Sequence, residues 1–299
     1  LDNVTAESAD DFATLTRAPL QAARQRLEQS YDSQFGGFGE APKFPHSTSL
    51  DLLLAAWHGS RGKNEDARAL EMVLRTLQHM ALGGLYDQLG GGFYRYSVDR
   101  EWAIPHFEKM LYDNAQLLAT YASAHAATGD PLYARIAAET ADWVLRDMQD
   151  PAGAFYATLD ADSEHEEGKF YVWTPTEMAS VLTIDENSVA QHMFGLKQPA
   201  NFEGRHWHLF VAADLGRTAT ALQLPAEHAA GLFASARRKL LTARAQRVSP
   251  GRDDKVLVSW NGLMIGALAR AARVLGRPDL AAAATRAVDF IRGTLWQNG

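Results

Sequence analysis

The sequence of 299 residues contains no cysteine, which excludes disulfides, thiolate metal sites and a cysteine nucleophile. It also lacks a run of about eighteen uncharged apolar residues, so we expect no membrane span. A net charge of −7 and the absence of a Lys/Arg run argue against a nucleic-acid partner. No secretory signal is present, so we expect a cytoplasmic protein.

Helical periodicity dominates the chain, and no long alternating strand is visible. Thr48, followed three residues later by Asp51, is a candidate helix N-cap. We expect short β pieces near 92–97, 154–157, 169–173 and 206–211. The predicted helices are 6–30, 48–59, 65–82, 105–128, 131–149, 175–183, 186–194, 225–245, 259–275 and 279–296.

Four similar polar and aromatic inserts separate the helix pairs, at 32–45, 87–102, 150–173 and 247–260. Three of them contain an Asp, then small residues, then Phe. A repeated unit of roughly 50–60 residues indicates a helical array. Because the long loops recur at alternate junctions, we expect them to gather on one face. The pattern favours a closed toroid of helical hairpins, with a site at the loop end of a central funnel, and an open solenoid is the alternative.

The segment 89–118 is the richest in chemistry, because a glycine cluster leads into aromatic and charged residues. Rings and charges together are typical of sugar-binding clefts. Pro105 is predicted to begin a helix on which His106, Lys109, Asp113 and Gln116 form a polar stripe. A solvated outer helix would show the same stripe. The candidates here are His106, Glu108 and Asp113 as catalytic groups and Tyr94, Arg95 and Trp102 as substrate-binding groups.

The densest acidic cluster lies at 160–167. In an extended segment, Asp160, Asp162 and Glu164 would point the same way. Crowded carboxylates raise one another's pKa, so Asp160 and Asp162 are candidate catalytic groups and Glu164 a binding group. A plain solvated loop is the alternative.

The remaining substrate-binding candidates stand in aromatic or polar surroundings further along the chain: Trp173, Glu203, Lys255, Trp260 and Asn261. His206 and His208 have no identifiable third ligand, so no zinc site is predicted. The glycines at 90–92 lack the lysine element of a phosphate loop. We therefore predict no metal and no cofactor.

Long motifs support a family resemblance: GGGFYRYSVDREWAIPHFEKMLYDNAQLL, LDADSEHEEGKFYVWTPTE at 159–177, NFEG at 201–204 and DDKVLVSWNGLMI at 253–265. With these, the chain closely resembles the spermatogenesis-associated thioredoxin-domain proteins and their uncharacterised bacterial relatives. The resemblance implies a thioredoxin-like domain followed by an (α/α)6 barrel related to N-acylglucosamine 2-epimerases and six-hairpin glycosidases.

The chain departs from this family pattern, because it has neither cysteine nor a thioredoxin domain. It also starts without Met and ends after nine or ten predicted helices, where the barrel has twelve. We expect residues 1–299 to be one all-α barrel domain, a fragment that lacks the last hairpins. Exposed helices of an incomplete barrel would favour self-association.

The resemblance implies a carbohydrate-active or sugar-binding domain, with a small sugar or glycan as partner. Sugar epimerase or isomerase chemistry and glycoside hydrolysis both suit the fold by analogy. The alternative is a non-catalytic module that positions a thioredoxin-like domain. An enzyme should bring His106, Asp113 and a carboxylate of the acidic loop together, with a perturbed pKa.

Overall fold

The computed structural model describes residues 16–62 and 64–296. Two π-helical turns, Val144–Met148 and Ile291–Leu295, extend α5 and α11. The helices of the described residues are α1 (Ala18–Ser30), α2 (Ser47–Ser60), α3 (Ala67–Leu82), α4 (Leu111–Thr128), α5 (Pro131–Trp143), α6 (Pro175–Val181), α7 (Ile184–Met193), α8 (Leu215–Ala221), α9 (Ala226–Arg244), α10 (Val258–Leu275) and α11 (Pro278–Phe290). The strands are β1 (Tyr96–Ser97), β2 (Pro105–His106), β3 (Lys109–Met110), β4 (Thr158–Leu159), β5 (Asp162–Ser163), β6 (Glu166–Glu167) and β7 (Arg252–Asp253).

Three helical hairpins form the main body: α2 with α3, α4 with α5, and α10 with α11. Helix α4 packs against both α2 and α10, so these helices form one continuous layer. Helix α10 buries Ala267, Leu268 and Ala271, where small side chains permit close helix packing. The predicted fold class, an all-α array of helical hairpins with short β pieces in the loops, is confirmed for the described residues.

Helices α6–α9 form a second packed group with its own core, which includes Trp173, Phe194 and Leu240. Arg237 of α9 joins this group to the hairpins, because it donates to both carboxylate oxygens of Glu139 on α5, at 2.9 and 3.0 Å. Helix α8 was not predicted. No helix among residues 16–62 and 64–296 has the length and apolar character needed to cross a bilayer.

The Asp–small–Phe sequence pattern forms the same local structure at each of its three occurrences. In each copy, a glycine N–H donates to the backbone carbonyl of the Asp, and the Phe forms a bridge back to the residue before that Asp. Each of these glycines has a positive φ, which favours glycine over other residues. The Asp/Gly/Phe sets are Asp32/Gly36/Phe38, Asp87/Gly91/Phe93 and Asp150/Gly153/Phe155.

A predicted helix start at Pro105 is wrong, because residues 105–110 are extended and α4 begins at Leu111. Exposure alternates along this segment: His106 is partly exposed, whereas Pro105, Phe107 and Lys109 are buried. The stripe expected from helical spacing therefore does not form, and Lys109 enters the core instead. Thr48 is not an N-cap either, since His46 occupies that position in a left-handed conformation. Of the helix predicted at 6–30, residues 6–15 lie outside the described residues.

Short strands hold the four inserts side by side, as predicted. The backbone of Lys43 pairs with Ser97, and β1 pairs with β2. Strand β4 pairs with β3 on one side and β7 on the other. Each of these pairings lies just before α2, α4 or α10. The inserts therefore gather at the N-terminal ends of the helices that form the continuous layer.

Two buried asparagines attach this layer to the Asp–small–Phe loops. The Asn114 side chain accepts from the N–H of Phe93 at 2.7 Å and donates to its carbonyl at 2.9 Å. Asn261 binds the backbone of Phe155 in the same way, at 2.8 and 2.9 Å. Both asparagine side chains are fully buried, so water does not reach the backbone groups of Phe93 and Phe155. Each asparagine therefore supplies the two hydrogen bonds that these groups need.

We expect Asn114→Ala to lower the free energy of unfolding by about 2–4 kcal/mol, because it leaves the buried N–H and carbonyl of Phe93 without partners. Asn261→Ala should have a similar effect through Phe155. Urea denaturation monitored by circular dichroism measures both. Gln198→Ala, at an exposed position, is the control and should stay within about 0.5 kcal/mol of wild type. An effect of Asn114→Ala as small as that of the control would show that these bonds do not hold the loop.

Candidate functional site

An aromatic stack lies on the surface near the start of α4. Tyr96 stacks on Phe44 with ring centroids 4.8 Å apart and on His106 at 5.1 Å. The β1–β2 pairing sets Tyr96 opposite His106. Phe44 is 40% exposed, so one end of the stack reaches solvent. Such rings suit stacking against the apolar face of a sugar.

His106 is oriented by carboxylates on both sides. Its Nδ1 lies 2.7 Å from Oε1 of Glu167, and its Nε2 lies 3.8 Å from Oε2 of Glu108. Alternation along the extended segment puts His106 and Glu108 on the same side. Glu108 also accepts from Nη1 of Arg95 at 2.8 Å. The imidazole is therefore held in one orientation while staying partly exposed.

The carboxyl group of Asp113, in the first turn of α4, has a shifted pKa. Burial raises its pKa to about 7, while Arg95 lowers it and Glu108 raises it further. Among the described residues, neither Oδ2 of Asp113 nor Nε of Arg95 has a hydrogen-bond partner. A carboxyl group with a pKa near neutrality, beside an arginine N–H that has no acceptor, is well suited to acid–base chemistry.

Helix α10 contributes an aromatic side chain to the same area. The Trp260 ring lies edge-on to Tyr112, with centroids 4.8 Å apart, and Trp260 remains partly exposed. Tyr112 directly precedes Asp113 in the chain. We call the resulting set the α4 cluster, and it consists of Arg95, His106, Glu108, Tyr112, Asp113 and Trp260.

Strands β5 and β6 of the acidic loop form a hairpin, and Glu164 has a positive φ at its turn. Exposure alternates from 160 to 164 as expected, because Ala161 and Ser163 are buried and Glu164 is exposed. Asp160 and Asp162 are both exposed. Lys169 lies 2.8 Å from Glu166 and lowers the pKa of that carboxyl group. Only Glu167 of this loop contacts the α4 cluster, through His106.

Four predicted binding residues occupy the core rather than the surface, each less than 2% exposed. Trp102 donates from Nε1 to the carbonyl of Phe35, and Asn261 binds Phe155 as described above. Nε1 of Trp173 is buried and has no hydrogen-bond partner among the described residues. Burial keeps a ligand away from all four residues. The four are Tyr94, Trp102, Trp173 and Asn261.

Two further predicted binding residues are exposed but lie outside the α4 cluster. Glu203 pairs with Arg205 at 3.3 Å, and Lys255 pairs with Asp253 at 3.0 Å. Glu203 and Glu164 line an open cavity of about 570 Å³, which Glu167 also lines.

Sequence reasoning did not place Phe44 or Glu167 at the site. Treating 96–106 as a hairpin would have set Tyr96 against His106, since Pro105 suits a strand edge as well as a helix start. Glu167 is brought in by the β5–β6 hairpin, for which no local turn signal was recognised.

The chain is 37% identical over 293 residues to human spermatogenesis-associated protein 20, which covers 90% of this chain. An uncharacterised protein of Caenorhabditis elegans is 34% identical over 318 residues, covering 98% of the chain. The chain is a homologue of spermatogenesis-associated protein 20. This confirms the resemblance drawn from its motifs. The chain spans 37% and 43% of the length of these two relatives. No family model matches the chain.

Comparison with solved structures gives matches of low identity. Cellobiose 2-epimerase from Bacillus thermoamylovorans B4167 is 11% identical with a TM-score of 0.40, covering 93% of this chain and 88% of its own. A heparin-specific unsaturated glucuronyl hydrolase is 11% identical with a TM-score of 0.42, covering 86% and 68%. A D-mannose isomerase is 10% identical with a TM-score of 0.39, covering 97% and 88%.

We expect Asp113 to make stability depend on pH. Its pKa is about 7 in the folded protein and about 4 when unfolded, so the folded state keeps a proton that the unfolded state releases. The free energy of unfolding should therefore fall as the pH rises from about 4 to about 7. Asp113→Asn should remove this loss and stabilise the protein at pH 8 by about 2–4 kcal/mol, with little effect at pH 4.

Urea denaturation at pH 4.5 and pH 8 measures this difference, and Asp162→Asn at an exposed position is the matched control. Equal effects of Asp113→Asn at the two pH values would contradict the raised pKa.

Proposed function

We propose that the α4 cluster is a sugar-binding active site that moves a proton at the carbon next to a sugar carbonyl. The observation that supports this most directly is Asp113, a partly buried carboxyl group with a pKa of about 7 and an unpaired oxygen among the described residues. A general acid or base works best when its pKa is close to the working pH.

Binding would use the aromatic surface on two sides of the cluster. The exposed end of the stack at Phe44 and the partly exposed Trp260 offer faces for a pyranose ring. Arg95 and Glu108 supply donors and acceptors for hydroxyl groups. The substrate class is therefore a small sugar or the end of a glycan.

In this proposal, either Asp113 or His106 removes the proton and the other group returns it. Contact with Glu167 fixes the His106 ring, and the unpaired Nε of Arg95 stabilises the negative oxygen of the enolate. Epimerisation follows when the proton returns to the opposite face of the carbon. Glycoside hydrolysis is less well supported, because it needs two carboxyl groups that flank the bond, and Glu108 is already paired with Arg95.

The test is a set of aldoses and reducing disaccharides incubated with the protein in D2O, with loss of the C2 proton signal followed by NMR. We expect exchange with at least one sugar, and Asp113→Asn and His106→Gln should each slow it at least about 100-fold. Asp162→Asn should leave the rate unchanged. Saturation-transfer NMR on the same samples reports binding separately from exchange.

A sugar that binds without exchange, with equal affinity for wild type and Asp113→Asn, would overturn the catalytic assignment. It would favour a non-catalytic module that positions a thioredoxin-like domain. Absence of binding to any sugar in the set would overturn the sugar site itself.

A further inference from the structure

A second cavity, of about 280 Å³, lies away from the α4 cluster and shares no residue with it. Asp87, Lys109 and Arg244 form its buried charged wall, and Trp143 and Tyr171 add aromatic surface. Arg146 and Arg252 are its more exposed lining residues. Lys109, Leu159 and Arg252 are neighbours in the β3–β4–β7 register, so they reach the cavity from the same face of the strands.

The buried wall of this cavity carries an excess positive charge. Oδ2 of Asp87 accepts from Lys109 Nζ at 2.8 Å, and Arg244 donates to both oxygens of Asp87, each at 2.8 Å. All three side chains are at most 5% exposed. Two cations and one anion leave a net charge of +1, and a buried charge without a partner is unfavourable. Burial and Arg244 lower the pKa of Lys109, to about 8, although Asp87 opposes them.

Asp32 of the first insert has a similar arrangement of a lysine and an arginine, with its charge balanced. There Asp32 binds Lys43 at 2.5 Å and Arg100 at 2.8 Å. Arg100 is 39% exposed, and Glu40 lies 3.6 Å from it. Solvent and a second carboxylate thus compensate the extra cation. At Asp87 the corresponding arginine is buried, and a cavity is present instead.

The carboxylates near the second cavity are already occupied. Asp147 pairs with Arg146 through both of its oxygens, at 2.9 and 2.7 Å. Asp254 accepts from Arg252 at 2.6 Å. Nε of Arg244 is buried and finds no acceptor among the described residues. The Asp87 wall therefore keeps both its excess charge and an unused donor.

We infer that this cavity binds the anionic group, carboxylate or phosphate, of a small molecule. Arginine is the side chain best suited to such groups, because its donors match two oxygens at once. The aromatic surface of Trp143 and Tyr171 would contact the rest of the ligand. The volume suits a molecule no larger than a single sugar or a short acid.

The test follows the ¹⁵N–¹H signal of Arg244 Nε during titration with inorganic phosphate, acetate, neutral glucose and sodium chloride at matched ionic strength. Loss of the peak in Arg244→Lys assigns it. We expect a saturable shift with phosphate or acetate and none with glucose or chloride. The anion that binds more tightly, phosphate or acetate, identifies the anionic group of the ligand.

Arg252→Gln should weaken anion binding at least fivefold, while Arg270→Gln, an exposed arginine of α10, should not change it. Asp113→Asn should also leave it unchanged, which separates this site from the α4 cluster. A shift that does not saturate, an equal shift with chloride, or equal effects of the two arginine variants would show ionic screening rather than a site and would overturn the inference.

Discussion

The structure depends on buried ion pairs between loop aspartates and the lysines that precede the helices. Lys109 binds both the Asp87 carboxylate and the carbonyl of Gly91, and Lys43 does the same with Asp32 and Gly36. Each contact fixes a glycine loop against the strand that leads into α4 or α2. Removing one partner of a buried pair leaves an isolated charge, which is unfavourable. A loop therefore cannot move away from its helix without breaking its ion pair.

This coupling explains how a helical protein can present a precise polar surface on its loops. The strand pairings hold residues 105–110 extended, so that Lys109 points into the core while His106 and Glu108 point outward. The same six residues thus anchor the fold and supply the site. Asp113 lies just inside the helix, where burial perturbs its pKa, and its energetic cost is offset by the packing of α4 against α2 and α10.

Helical hairpins and the Asp–small–Phe repeat could be predicted from the sequence, because both leave periodic signals in the residues themselves. The chemistry of His106, Glu108, Asp113 and Trp260 made them candidates, and all four lie in the α4 cluster. Burial could not be predicted residue by residue. Trp102 and Tyr94 have the character of sugar-binding rings, yet long-range packing places them in the core. The extended residues 109–110 were missed because their partner strand, β4, lies 48 or more residues away. Residues 105–106 pair with the nearby β1, but this hairpin was not recognised because Pro105 also suits a helix start.

The ladder of β3, β4 and β7 sorts side chains into two sets. Lys109, Leu159 and Arg252 share one face, and their neighbours in the chain share the other. A single-residue insertion before β4 would exchange these two faces and remove Leu159 from the cavity wall. Length changes should therefore be tolerated best in segments far along the chain from all three strands, such as the connections around α8 between β4 and β7. The number of residues between a loop and its strand thus decides which side chains reach the cavity and which face away from it.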